Sequence, residues 1–337
     1  MADGRIRFLP SRLRFLCQNV FAFYCLFIGY RFYLFFVWAT ENGHYTPRPP
    51  SVEAFLPIGA LLSLKQFILT HRYDPIHPAG LTIFIAVLVV SFLFRKGFCG
   101  WICPIGFASE LLNTMGRHAA QLFGHGTPRH GLLRTPAWLE YPLLLLKYLL
   151  LGFFCYLILW KMDLAALEQF SRSPYSLTAD GRMLLFFFHP SRLTLIVILC
   201  LLGLSLVFRN FWCRYLCPYG ALLGLPAMVS PLQVARDKTT CIDCKKCEDI
   251  CPSSLPITAK TLLRSPECIG CLECVSHCPR KDCLTLASPF AKKLPPLALP
   301  AGLLTVFLTI WLAAEVTGHW HSAIPDDTLR HYYQTIK

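Results

Sequence analysis

Two cysteine runs of the same spacing lie close together in this chain. The first is Cys241-Ile-Asp-Cys244-Lys-Lys-Cys247-Glu-Asp-Ile-Cys251-Pro252. The second is Cys268-Ile-Gly-Cys271-Leu-Glu-Cys274-Val-Ser-His-Cys278-Pro279. Three thiolates spaced CxxCxxC wrap one corner of an iron–sulfur cubane, and the fourth, held by Cys-Pro, ligates the neighbouring cluster. The spacing therefore predicts one [4Fe-4S] on Cys241, Cys244, Cys247 and Cys278, and a second on Cys268, Cys271, Cys274 and Cys251. Zinc sites use two pairs of ligands instead. Disulfides are disfavoured in a reducing compartment.

Two further pairs repeat one pattern: Cys99-Gly-Trp-Ile-Cys103-Pro104 and Cys213-Arg-Tyr-Leu-Cys217-Pro218. Proline favours the first position of a helix, so Cys103 and Cys217 are expected at helix N-termini. The dipole and free N–H groups there favour a thiolate or an anionic cluster. Arg95, Lys96, Arg209 and Arg214 add positive charge nearby. The four sulfurs fit an additional iron–sulfur ligand set, two redox dithiols, a copper site or inert buried thiols.

Other residues carry weaker signals. His77 and His189 occupy matching positions at the outer edge of two apolar runs, where an imidazole can bond a quinone or ligate a haem. Arg31 lies inside an apolar run, and an ionisable group there is by default a functional candidate. Cys17, Cys25, Cys155 and Cys200 read as small buried thiols; Cys283, just after the second run, reads as a spare buried thiol or a replacement ligand. The pair His319 and His321 makes a weak metal site.

The elements that must position these groups are membrane helices. The 337 residues are 55% hydrophobic and only 15% charged, against roughly a quarter charged in soluble chains. Disorder, coiled coil and a secreted disulfide scaffold are excluded. About twenty helical residues cross the hydrocarbon core, and Phe15–Trp38, Tyr141–Trp160, Arg192–Phe208 and Pro296–Glu315 qualify or nearly do. Ala79–Phe94 is shorter but uncharged and counts as a fifth span. Val52–Thr70, with Glu53, Pro57 and Lys65, reads as interfacial or re-entrant. Phe15–Trp38 reads as a retained anchor, because no small-residue cleavage site follows it.

With the N-terminus inside, segments 1–14, 95–140 and 209–295 hold 21 Lys/Arg against 10 Asp/Glu. That is the positive-inside pattern. It places both cysteine runs in the cytoplasm and the C-terminus outside. The formal net charge of +13 is therefore no sign of nucleic-acid binding.

The chain also contains a parallel duplication. His77-Pro-Ala-Gly-Leu-Thr matches His189-Pro-Ser-Arg-Leu-Thr, and Arg95, Cys99, Cys103, Pro104 and Gly106 match Arg209, Cys213, Cys217, Pro218 and Gly220. Parallel repeats are related by an axis along the membrane normal, with sites near their interface. The expected fold is an all-α polytopic membrane protein of about five spans, carrying a small α+β two-cluster ferredoxin-like domain. Its parts are a membrane domain over 1–235, the cluster domain over 236–290, and a last helix with an outer tail over 291–337.

Over roughly residues 15–290 the chain resembles the NapH-type membrane ferredoxins, on the two CxxxCP motifs followed by the two ferredoxin runs. Relatives of that family include the C-terminal part of NosR and the core of CcoG-type proteins. The span and tail after the cluster segment depart from both relatives. The resemblance implies a multi-pass bacterial inner-membrane protein with cytoplasmic [4Fe-4S] clusters. It would pass electrons between the quinone pool and a partner redox protein: a soluble ferredoxin-like protein, a cytochrome or complex subunits. This is the role of an electron-transfer subunit of the quinol dehydrogenase type. CcoG-like relatives imply copper binding and reduction instead, although the chain has only five methionines. A third alternative is a non-catalytic anchor for a soluble oxidoreductase.

Overall fold

The computed structural model describes residues 9–41, 43–122, 135–290 and 293–336. The first eight residues and the expected domain start at 291 fall outside these. Among the described residues the fold is mostly helical, with one two-stranded sheet.

Three helices are long and apolar enough to cross a membrane: Leu9–Glu41, Trp138–Lys161 and Ala298–Val316. A fourth crossing is possible by composition if Ala179–Phe188 and Arg192–Val207, bent by 78° at the break, act as one span. The run expected as a fifth span is the helix Pro78–Phe94, with 17 residues. At 1.5 Å per residue it is about 25 Å long, short of the roughly 30 Å hydrocarbon core. Val52–Thr70 is a 3-10 turn, Pro50–Phe55, followed by the helix Pro57–Thr70. Lys65 on that helix donates to the carbonyls of Ile158 and Leu159 at 2.9 and 3.2 Å, and also to that of Met162. These carbonyls lie in and just after a π-helical turn, Tyr156–Lys161, which explains how a charge is accommodated in an apolar run.

By spatial contact the chain divides into two compact units. One comprises Met1–Ala22, Leu88–Leu151 and Ile198–Val306; the other comprises Phe23–Val87, Gly152–Val197 and Phe307–Lys337. All twelve cysteines of the four motifs belong to the first unit.

In that first unit the repeats build matching corners. In the first copy a helical turn, Gly97–Trp101, carries Cys99 and is followed by the helix Pro104–Leu122. In the second copy a π-helical turn, Trp212–Leu216, carries Cys213 and precedes the helix Pro218–Met228. Single π turns are frequent at functional sites. Cys103 and Cys217 each sit immediately before a helix-opening proline, as the Cys-Pro spacing predicts. The cysteine-rich segment is closed at its base by antiparallel strands β1 (Gln233–Arg236) and β2 (Leu284–Ala287), with Val234 opposite Leu286. Their inward side chains, Leu284 and Leu286 among them, are buried.

The second unit is organised around an aromatic cluster. Phe32, Phe35 and Trp38 pack with Val52, Leu329 and Tyr333. The spacing of Phe32, Phe35 and Ala39 follows one helical face.

Candidate iron–sulfur centre

The two cysteine runs adopt one backbone conformation twice. Asp243 and Lys245 in the first run have φ of 47° and 56°, and Gly270 and Leu272 in the second have 61° and 60°. These left-handed residues turn the backbone at matching places within each CxxCxxC loop. A short helix follows each loop, Lys246–Ile250 and Glu273–Ser276, and the fourth cysteine lies just beyond it.

The fourth cysteines are exchanged between loops. Cys251 interacts electrostatically with Cys268, Cys271 and Cys274 of the second run. Cys278 faces Cys247 of the first. A pocket is lined by Cys241, Cys244, Cys247 and Cys278, with Cys283 beside them. Cys283 is thus close to the first group rather than isolated. The four CxxxCP sulfurs form a third group: Cys99 interacts with Cys103 and Cys217, and Cys213 with all three. Ser109 of the first repeat donates to Asn210 of the second at 3.2 Å, joining the copies beside this group.

The donor sets fit iron–sulfur clusters. Burial pushes the thiols of Cys213, Cys271 and Cys274 well above their usual value, which favours the protonated thiol; a bound metal would supply the positive charge that offsets this and takes the proton's place. Among the described residues, no three His, Cys, Asp or Glu side chains converge as they would on a single ion. A cubane's ligands instead attach to separate irons at separate corners.

The second run is fastened to the first CxxxCP loop. The Trp101 indole donates to the Gly270 carbonyl at 3.0 Å. Gly100 leaves no room for a side chain, because a Cβ there would lie 2.5 Å from the Ile269 carbonyl oxygen. The Gly100 carbonyl accepts from Arg14 at 2.9 Å and Gln18 at 3.1 Å. Arg14 also pairs with Glu110 and, at 3.1 Å, with Glu273.

The repeat-related arginines hold both sides of this loop. Arg95 donates to the carbonyls of Leu263 and Ser265 at 2.9 and 3.0 Å. Arg209 donates to those of Asp249 and Cys251 at 2.9 and 2.7 Å. Glu267, next to Cys268, pairs with Lys96 and with Lys147, and accepts from Tyr148 at 2.9 Å. Burial works to raise the Glu267 carboxyl, yet the two lysines outweigh it and hold the group below its usual range. Lys147 lies within the apolar run Tyr141–Trp160, and its carboxylate partner is 120 residues away in sequence.

Family comparison agrees with this geometry. A family described as "4Fe-4S binding domain" matches residues 76–121 and 191–233, one segment per repeat, each holding a CxxxCP pair. A second, "4Fe-4S dicluster domain", matches residues 233–279. The putative electron transport protein YccM of Escherichia coli is 38% identical over 327 residues, covering 95% of this chain and 87% of YccM. The chain belongs to the NapH-type membrane ferredoxin family. The ferredoxin-type protein NapH of Haemophilus influenzae is 29% identical over 222 residues, 60% of this chain and 68% of NapH. The regulatory protein NosR of Pseudomonas aeruginosa is 29% identical over 184 residues, 53% of this chain but 23% of NosR. No solved structure matches. This family member is thus a 4Fe-4S electron-transport-type protein with several membrane-length helices.

The remaining candidates are separated by the fold. His77 is half-buried in the second unit, with Nδ1 3.2 Å from Glu53 and Nε2 3.0 Å from the Ser176 carbonyl. Glu53 accepts from Arg48 at 2.9 Å and from the Gly80 amide at 2.8 Å. Arg48 reaches on to Asp180 at 2.8 Å, and Asp180 accepts from Tyr333. Burial works against the His77 imidazolium, but the Glu53 hydrogen bond and charge outweigh it and raise the His77 value. His189 is exposed at the end of Ala179–Phe188. The repeat match thus does not carry over into matching environments. Arg31 is half-buried and makes no hydrogen bond or ion pair among the described residues. His319 packs edge-on against Tyr73, and His321 meets Glu315 at 3.1 Å.

Proposed function

We propose that the protein is a membrane-bound iron–sulfur subunit that moves electrons between the quinone pool and a partner redox protein. Cys241, Cys244, Cys247 and Cys278 would hold an outer cluster, and Cys268, Cys271, Cys274 and Cys251 an inner one. Cys99, Cys103, Cys213 and Cys217 would hold a third. Clusters of this kind accept and release single electrons; the chain's own residues set their order, exposure and surrounding charge.

One observation carries the proposal: the Cys268–Cys274 loop is bonded to the Cys99–Cys103 loop through Trp101 and Gly270. Tunnelling falls steeply with distance, so fixing these two sulfur sets against each other makes them consecutive steps. The Cys241 set, more exposed, takes the partner end. Quinol would give up electrons beside the CxxxCP set, where Lys96 and Lys147 stand within electrostatic reach of Cys99. His77 is assigned to structure, since both its ring nitrogens are already engaged.

Five crossings are proposed, with Pro78–Phe94 counted as the short one, the cluster segment cytoplasmic and the C-terminus outside. Lysine and arginine placement supports this orientation.

The test is iron and sulfide analysis with a redox-titrated EPR spectrum, alongside quinol oxidation. Three cubanes require about twelve irons per chain. Cys99→Ser/Cys213→Ser is expected to keep about eight and to lose its reaction with quinol. If the double variant keeps all its iron and its quinol reaction, the membrane-level centre is disproved.

A further inference from the structure

The two ferredoxin loops differ in what surrounds them. Cys251, Cys268, Cys271 and Cys274 are all buried. In the other group Cys244 is exposed and Cys241 partly so. Beside Cys244 lies Ile242, 51% exposed, and across the pocket Pro279, also exposed.

Lys245 and Arg280 line this pocket, and Lys238 and Lys246 lie close by in sequence; all four are exposed. None of the four makes a hydrogen bond or ion pair with a described residue. The neighbouring acids are engaged locally. Asp237 accepts from Thr239 and Thr240, Asp243 from Arg236 at 3.3 Å, and Glu248 from Thr258. Asp282 meets Lys293 at 3.6 Å. The result is an apolar spot over an exposed cysteine, rimmed by unpaired positive charge. That is the anatomy of a protein interface, with an apolar core and a polar rim.

We infer that this face is the docking surface for an acidic electron-carrier protein. The inference rests on the reading of Cys241, Cys244, Cys247 and Cys278 as a cluster. Cys244 is the exposed member of the eight ferredoxin cysteines, so a carrier must approach there for transfer over a short distance. Lysines at the rim would steer a negatively charged partner and accelerate its association. An anionic lipid surface also attracts lysines, but it would cover the exposed sulfur and shut out every carrier.

The experiment uses the full chain in nanodiscs of zwitterionic lipid, with cluster content fixed by EPR. The probes are an acidic plant-type [2Fe-2S] ferredoxin and, as the opposite charge, a basic cytochrome c. Carbodiimide cross-linking reports binding without redox chemistry. Stopped flow reports the second-order transfer rate. Lys245→Glu/Lys246→Glu is expected to slow ferredoxin association ~10-fold or more at low salt, with the difference vanishing at high salt. Cross-links to ferredoxin carboxylates should map to Lys245 and Lys246 and disappear in the variant, while cytochrome c gains rate.

An unchanged rate and unchanged cross-linking in a variant that retains its EPR signals would overturn the docking surface. So would loss of lysine labelling in anionic nanodiscs with no effect of ferredoxin, which would make the patch a membrane contact. Cross-linking that persists where the outer cluster's EPR signal is absent would uphold the surface and overturn the cluster reading instead.

Discussion

Trp101 and Gly270 are 169 residues apart in sequence, yet the indole of the first donates to the carbonyl of the second at 3.0 Å. One belongs to a CxxxCP loop and the other to a CxxCxxC loop, and both are buried. Trp101→Phe keeps one aromatic ring but removes the donor and part of the indole volume, leaving a buried carbonyl unsatisfied at a cost of about 1–3 kcal/mol beside a small void. We expect faster loss of inner-cluster iron to a chelator, with the outer cluster's EPR signal unchanged. Equal loss from both clusters would refute the local tie.

Gly100→Ala is the steric counterpart. The added Cβ would meet the Ile269 carbonyl at 2.5 Å, and that oxygen is backbone, so the loop itself must shift. The variant is expected to assemble with one cluster fewer, read as iron per chain and as the missing inner-cluster EPR signal. Gly203, whose Cβ would meet nothing within 4 Å, supplies the control: Gly203→Ala should retain full iron content.

The grouping of the candidate cysteines is legible because ligand spacing is a local property of the sequence. Cys241 to Cys251 and Cys268 to Cys278 state their geometry in their spacing, and duplication made the CxxxCP pairs conspicuous. The supports of the centre were not legible. Lys147 finds Glu267, and Arg14 finds Glu273 across 259 residues, and no periodicity announces such pairs. Symmetry also misled. His77 and His189 match in sequence, but only the first copy has Glu53 against its Gly80 amide; the second has Arg192 at the matching position, and His189 is exposed. The helix Pro78–Phe94 shows a related limit, since its 17 apolar residues satisfy composition but not length.

The second unit is held by Arg48, which bonds Asp180 and Glu53 from a segment outside any helix. Asp180 is fully buried, 132 residues from Arg48, and also takes the Tyr333 hydroxyl. Removing one member of a buried pair strands the other charge, typically at about 3–5 kcal/mol. Asp180→Asn is expected to lower the thermal midpoint of the second unit strongly. Tyr333→Phe should cost less, since Arg48 still neutralises the carboxylate. A scan showing Tyr333→Phe as the more damaging change would refute this hierarchy.

His77 makes part of that stability depend on pH. Its value is raised in the folded protein, because Glu53 and Asp180 favour the imidazolium more than burial and Arg48 oppose it. A raised value means that the folded state holds the proton more tightly than the unfolded chain does. The corresponding stabilisation is therefore complete below the ordinary histidine value and fades as pH climbs through the folded one. Unfolding midpoints of the native protein should fall over that interval. His77→Gln, which has no proton to lose there, should show a flatter profile and lower stability on the acid side. If the variant falls as steeply as the native protein, the dependence belongs to another group and His77 is uncharged in its network.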